Sequence, residues 1–185
     1  MVHNFRLQKR CIMKKSGFTI IELVVVIVIL GIIAVTAAPR FLNVSTDSHI
    51  AAVKGTGAAF KAGVDLAYSK NLTLNGGGPS TNIPIYDDSA TGQLDFNEWG
   101  YPVQQWPYAE DFPRLDNPED CISVWGALLI DPPSVSSFNS PTDTDYIAEY
   151  IHTDQCRYHY RVVPGISIYY NSMNGDVTVD DEPDS

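Results

Sequence analysis

Residues 14–38 read KKSGFTIIELVVVIVILGIIAVTAA, and the organisation of the whole chain turns on them. Within residues 18–38 the only charge is Glu22. As a helix this run would be about 32 Å long, the depth of a bilayer core. Pro39 and Arg40 then close it. Its Val and Ile content alone would suit a strand, but its length and basic flank favour a membrane helix. Arg6, Lys9, Arg10, Lys14 and Lys15 all fall in residues 1–17, and every one of the 22 acidic residues lies at Glu22 or later. A chain of net charge −10 therefore begins with a segment of +5. A basic start before an apolar run is retained on the cytoplasmic side of a membrane. The acidic remainder argues against nucleic-acid binding, which needs a basic face.

Three readings of the apolar run compete. A cleaved secretory signal peptide would be cut near Ala37 or Ala38, but the run is long for that and Pro39 follows the cut. A plain signal anchor would merely tolerate Glu22 near the membrane surface. The third reading looks to the junction at Gly17 and Phe18. A charge inside a span costs about 2.5–3.5 kcal/mol at mid-depth and less near an end. A free amino group made at Phe18 would give Glu22 a partner one turn away, in its own chain or on a neighbour. A carboxylate in the first turn also complements the helix dipole. On this reading the odd acid is half of an assembly contact.

The run Lys14-Lys15-Ser16-Gly17-Phe18-Thr19-Ile20-Ile21-Glu22-Leu23 resembles the type IV prepilin signature, and the likeness continues through Gly31 and Pro39. In that family a prepilin peptidase cuts after the Gly and methylates the new N-terminal Phe. The resemblance thus assigns Gly17 and Phe18 to processing, Glu22 to subunit registration, and Gly31 and Pro39 to helix loosening. A leader over residues 1–17 is long for the short-leader branch. Translation is therefore expected to start at Met13, which would leave residues 1–12, with Cys11, outside the protein.

Beyond Pro39, Ile50, Val53, Gly57, Phe60, Val64 and Ala67 recur at helical spacing, with Lys54, Lys61 and Asp65 on other faces. The expectation is one helix over residues 18–72, a membrane part at 18–39 and an amphipathic part at 40–72, kinked at Pro39. Asn75-Gly76-Gly77-Gly78-Pro79 ends it. Residues 73–120 read as loop and 121–180 as an antiparallel sheet head. Its strands are expected at 122–130, 146–151, 157–163, 166–170 and 177–179. Tyr158, Tyr160 and Val162 should share one face, and Arg157, His159 and Arg161 the other. Turns are expected at Val163-Pro164-Gly165-Ile166 and Met173-Asn174-Gly175-Asp176. An acidic tail at 181–185 follows. The fold class is α+β, a long N-terminal helix laid against an antiparallel sheet.

With Cys11 in the leader, Cys121 and Cys156 remain as an even pair, which suits a disulfide in an oxidising compartment; two free core thiols are the alternative. The resemblance implies the bridge, since in type IV pilins a C-terminal disulfide borders a variable surface loop. His152, Cys156 and His159 lack a fourth zinc ligand at a recognised spacing. Asp176, Asp180, Asp181, Glu182 and Asp184 offer oxygens to calcium without a loop pattern such as an EF-hand. No metal or other cofactor is expected. No Gly-x-Ser-x-Gly, phosphate loop or His-Glu-x-x-His is present, so nothing proposes an enzyme. Trp99, Tyr101, Trp106 and Tyr108 crowd one Pro-containing stretch, where they either anchor a long loop or offer flat faces to sugars or neighbouring subunits.

Residues 20–28, Ala37-Ala38-Pro39-Arg40-Phe41-Leu42-Asn43, Trp99-Gly100-Tyr101-Pro102, Ile168-Tyr169-Tyr170 and Asn174-Gly175 resemble the mannose-sensitive haemagglutinin group of type IVa pilins. The resemblance implies a pilus subunit for attachment to surfaces or glycans. Its partners would be other pilin subunits, the prepilin peptidase, the membrane and an inner-membrane assembly platform. It would wait in the inner membrane with its head in the periplasm, then join an extracellular pilus. The alternative is a pseudopilin of a type II secretion system. The resemblance implies that major subunits of that kind lack the C-terminal disulfide and hold calcium near the C-terminus.

Overall fold

The computed structural model describes residues 17–86, 93–105 and 111–184, with backbone only at 38–43. The chain divides into two compact units, residues 1–43 and 44–185. Helix α1 (Ile20–Asn75) begins in the first and ends in the second. In the first unit, Ile20–Ala37 forms a stretch of mean hydropathy 3.0 with none of it buried, long and apolar enough to cross a membrane. Helix α1 runs without a break through Gly31 and Pro39.

In the second unit α1 carries the stripe that its spacing predicts. Val53, Phe60, Val64 and Ala67 are fully buried, and Ile50 packs at their edge. Gly57 and Gly63 belong to the stripe for a steric reason. A Cβ at Gly57 would lie 2.5 Å from Val179, and one at Gly63 would lie 2.6 Å from the Leu128 carbonyl oxygen. Ending at Asn75, α1 runs three residues past its expected stop. Gly76 and Gly77 then take left-handed φ values of 74° and 81°, and the Gly76 N–H reaches back to the Leu72 carbonyl at 3.1 Å.

The stretch expected as loop holds three short strands, β1 (Ser80–Pro84), β2 (Gln93–Phe96) and β3 (Pro102–Gln104), paired antiparallel in that order. A register shift between Ser80 and Ile83, with Asn82 at φ 56°, breaks the alternation that would have marked β1 as a strand.

Residues 122–130, expected as a strand, lie mostly in helix α2 (Pro118–Leu128). Asn117 is its N-cap, accepting the Asp120 N–H at 2.9 Å. Pro118 opens the first turn, and Glu119 and Asp120 complete an acidic start. Cys121, Val124, Trp125 and Leu128 then form a buried stripe at helical spacing.

The second sheet runs β4 (Val135–Ser137), β5 (Tyr146–His152), β6 (Gln155–Tyr160), β7 (Ser167–Asn171) and β8 (Asp176–Asp180) in sequence order. All pairs are antiparallel except β4 with β5, which is parallel. The expected turns are present, with Gly165 at φ 89° and Gly175 at φ 74°. Strand β6 stops at Tyr160, so Val162 lies outside the sheet and is exposed rather than aligned with Tyr158. The fold is thus α+β, as expected from the sequence.

Phe60 of α1 sits at the centre of the core. Its ring lies 5.5 Å from Trp125, 5.4 Å from Tyr158 and 5.5 Å from Tyr170. Edge-on and tilted contacts of this kind add about 0.5–1.5 kcal/mol each beyond burial. The two buried hydroxyls are satisfied, Tyr158 donating to the Cys121 carbonyl and Tyr170 to the Pro102 carbonyl, both at 2.8 Å. Burial pushes both phenols well above their ordinary range.

Candidate functional site

The N-terminal end of α1 carries the residues singled out for processing and assembly. Gly17 has open space around its Cα, and Phe18 is exposed before the first helical turn. Thr19 and Glu22 then close on each other. The Glu22 Oε2 accepts from the Thr19 N–H and from its hydroxyl, each at 2.8 Å, while Thr19 Oγ1 accepts the Glu22 N–H at 3.3 Å. That is a reciprocal capping box, satisfying two of the donors a helix start leaves open. The Thr-x-x-Glu spacing carries this signal in the sequence, where the charge of Glu22 by itself does not point to Thr19. Lys14, Lys15 and Ser16 lie outside the described residues.

The arrangement offers an accessible Gly-Phe junction, a carboxylate held within one turn of it, and an apolar stretch, Ile20–Ala37, with none of it buried among the described residues.

Residues 12–38 match the family model of the prokaryotic N-terminal methylation motif. The major component of the type IV narrow pilus of Thermus thermophilus is 32% identical over 87 residues, covering 47% of this chain and 71% of its own. Core protein G of the type II secretion system of Pseudomonas aeruginosa is 31% identical over 122 residues, covering 60% of this chain and 83% of its own. The chain belongs to the type IV pilin and prepilin family. The type IV major alpha-pilin of Moraxella bovis is also similar, 41% identical over 59 residues, 32% of this chain and 37% of that protein. No solved structure matches. The relatives are structural components rather than enzymes, and membership fits membrane anchoring through the apolar helix before assembly.

The pilin head contains the bridge that the cysteine count raised. Cys121 of α2 and Cys156 of β6 are disulfide-bonded, with Cα atoms 5.8 Å apart and both side chains fully buried. The link ties the short helix to the sheet's middle strand and closes a loop of 35 residues. It encloses β4, β5 and the exposed Phe138. Its sulfur cannot serve zinc as a thiolate, and His159 Nε2 instead pairs with Glu149 at 2.7 Å. Among the described residues no group of three or more His, Cys, Asp or Glu is placed to hold a metal. In the acidic tail Asp181 pairs with Lys54, which pulls its carboxyl below the usual range. Asp176 accepts from the Asn174 amide at 2.7 Å.

The aromatic stretch divides. Tyr101 stacks on Tyr68 of α1, with ring centroids 4.6 Å apart, and covers Gly175, so it is an anchor. Trp99 stays exposed. Trp106 and Tyr108 lie outside the described residues.

Proposed function

We propose that this chain is a structural subunit of a type IV pilus of the mannose-sensitive haemagglutinin kind, assembled into an extracellular filament for attachment to surfaces or glycans. The prepilin peptidase cuts after Gly17 and methylates Phe18. Before assembly the apolar helix holds the subunit in the inner membrane, with its head in the periplasm. An assembly platform in that membrane then draws subunits into a bundle of helices. Glu22 offsets the N-terminal charge of a neighbour, and the helix loosens around Gly31 and Pro39 as the bundle forms.

The observation that carries this reading is the buried Cys121–Cys156 bridge in the head. It borders a surface loop as the pilin resemblance implies, whereas a major secretion pseudopilin is expected to lack it. The second reading, a type II secretion pseudopilin, has its own support in the 83% of the Pseudomonas aeruginosa core protein G that the similarity spans. Deletion of the gene separates them. The pilus reading expects loss of surface filaments by electron microscopy with exoprotein export unchanged. Export loss with filaments intact would assign the chain to secretion.

A further inference from the structure

Four turns meet at one end of the head, and three buried polar side chains knit them together. Asn97, only 1% exposed, donates from Nδ2 to the Ser172 carbonyl at 2.8 Å and to its hydroxyl at 3.2 Å. Its Oδ1 accepts the N–H groups of Trp99 at 3.1 Å and Tyr101 at 3.0 Å. Ser172 donates its N–H at 2.8 Å and its hydroxyl at 3.1 Å to the Asp154 carbonyl. Asp154, 2% exposed and at φ 63°, exchanges bonds with Leu115, accepting its N–H at 3.3 Å and donating to its carbonyl at 2.9 Å. Segments 97–101, 111–115, 153–154 and 171–175 are thereby locked to one another. From the other side, buried Asn71 of α1 donates to the Gly100 carbonyl at 3.4 Å. Fully satisfied polar networks of this kind rigidify what they support.

The locked turns present an unusual surface. Trp99 is 42% exposed and Phe112 is 70% exposed, and with Asn97, Glu98, Pro113 and Arg114 they line one notch. Its volume is about 20 Å³, so a ligand would lie across the rings rather than sink between them. Glu98 and Arg114 are both close enough to act electrostatically on Asp154. Neither is in a hydrogen bond or ion pair among the described residues. The patch therefore combines flat apolar faces with a planar donor fork and a carboxylate acceptor, on backbone braced by the polar network beneath it.

A second protein would need on the order of 800 Å² per partner for a stable contact, far more than a six-residue notch supplies. A sugar ring needs less. A hexopyranose with equatorial hydroxyls has a flat C–H face suited to an aromatic ring. Its hydroxyl rim can accept from a guanidinium and donate to a carboxylate. We propose that this end of the head is a saccharide site for neutral hexopyranoses. The sugar stacks on Trp99 against the Phe112 rim, while Arg114 and Glu98 hold adjacent hydroxyls. This deepens the attachment reading by naming its site, and the binding itself is measurable whichever filament the chain builds.

The test titrates the full chain in detergent micelles with cellotetraose, read by isothermal calorimetry and saturation-transfer NMR. Trp99→Ala is expected to weaken binding about tenfold, the scale of one lost aromatic contact. Arg114→Ala and Glu98→Gln should weaken it several-fold, while Phe138→Ala, exposed but outside the notch lining, leaves it unchanged. Trp99 is 42% exposed and so part-packed, and an unchanged far-UV circular dichroism spectrum of the variant verifies the fold. Absence of wild-type binding, or equal binding by Trp99→Ala, overturns the proposal. Loss of filaments in Trp99→Ala without any saccharide binding overturns it in favour of a contact between copies. Binding that persists in a chain shown to serve secretion upholds the site and removes only its attachment role.

Discussion

Glu22 accepts both the N–H and the hydroxyl of Thr19 at 2.8 Å, so the single charge of the apolar run is also the cap of its helix. The carboxylate is thus ordered at the helix end within its own chain, which lowers the ordering cost of the contact with a neighbour proposed above. On that proposal, capping and charge compensation converge on one residue.

Substitution separates those roles. Glu22→Ala and Glu22→Gln should both remain in the membrane fraction, because the span keeps its length and hydropathy. Glu22→Ala loses the cap, at a cost of about 1 kcal/mol at the helix start, whereas Glu22→Gln keeps it and loses only the charge. Both variants should lose filaments in electron micrographs. Wild-type filament numbers from Glu22→Gln would show that assembly uses the cap and not the charge.

The disulfide should dominate the head's stability. Closing a loop of 35 residues contributes about 4 kcal/mol on the chain-entropy model. Paired Cys121→Ser and Cys156→Ser substitutions, or reduction, should lower the melting temperature markedly, because both sites are fully buried. Near-UV circular dichroism on heating, with and without reductant, measures this; equal melting curves would mean that the bridge contributes nothing to stability.

Two glycines of α1 should respond with opposite signs. Gly55 faces open space, so Gly55→Ala should stabilise by up to about 1 kcal/mol through helix propensity. At Gly63 a methyl would meet the Leu128 carbonyl oxygen at 2.6 Å and its Cβ at 3.1 Å. Backbone cannot swing aside, so Gly63→Ala should destabilise by about 1–3 kcal/mol despite the same propensity gain. Thermal melting of the two variants side by side gives the signs.

Asp120 makes the head sensitive to mild acid in an unexpected direction. Burial pushes its carboxyl up from the usual 3.8 to about 6, and this outweighs the bonds it accepts from Asp116 and Asn117. The folded chain then binds a proton that the unfolded chain has released between these two values. This group's contribution is therefore full below pH 4 and lost as pH rises through 6. Asp120→Asn should flatten that part of the stability profile and raise stability at pH 7. Urea midpoints between pH 4 and pH 7 follow both effects; a wild-type contribution that rises with pH would contradict them.

How much of this was legible in the sequence depends on what each element relies on. The stripe from Val53 to Ala67 was readable because one helix face meets one core, and the turns at Gly165 and Gly175 because only glycine suits their φ. Helix α2 was misread because Ile122-Ser123-Val124-Trp125-Gly126-Ala127-Leu128 is apolar enough for a buried strand. The deciding signal lay just upstream, in Asn117-Pro118-Glu119-Asp120. Strands β1 to β3 are three to five residues long and held by a bulge, side-chain bonds and Asn71, so they leave no alternation to read. At the helix start Glu22 stood out as a charge, but its bond to Thr19 required attention to spacing. Trp99 stood out among the clustered aromatics, but its neighbours Phe112 and Arg114 come from a separate segment, and no local pattern announces that convergence.

The central claim is that this chain is cut and built into a filament, and intact mass with N-terminal peptide mass spectrometry on membrane and surface fractions tests it most directly. The account predicts a chain beginning at N-methylated Phe18, with Cys121 and Cys156 oxidised, present in both fractions. A chain still beginning at Met1 or Met13 would make it a simple membrane anchor, and one beginning near Pro39 would make it a secreted domain. Either result would contradict assembly through the apolar helix.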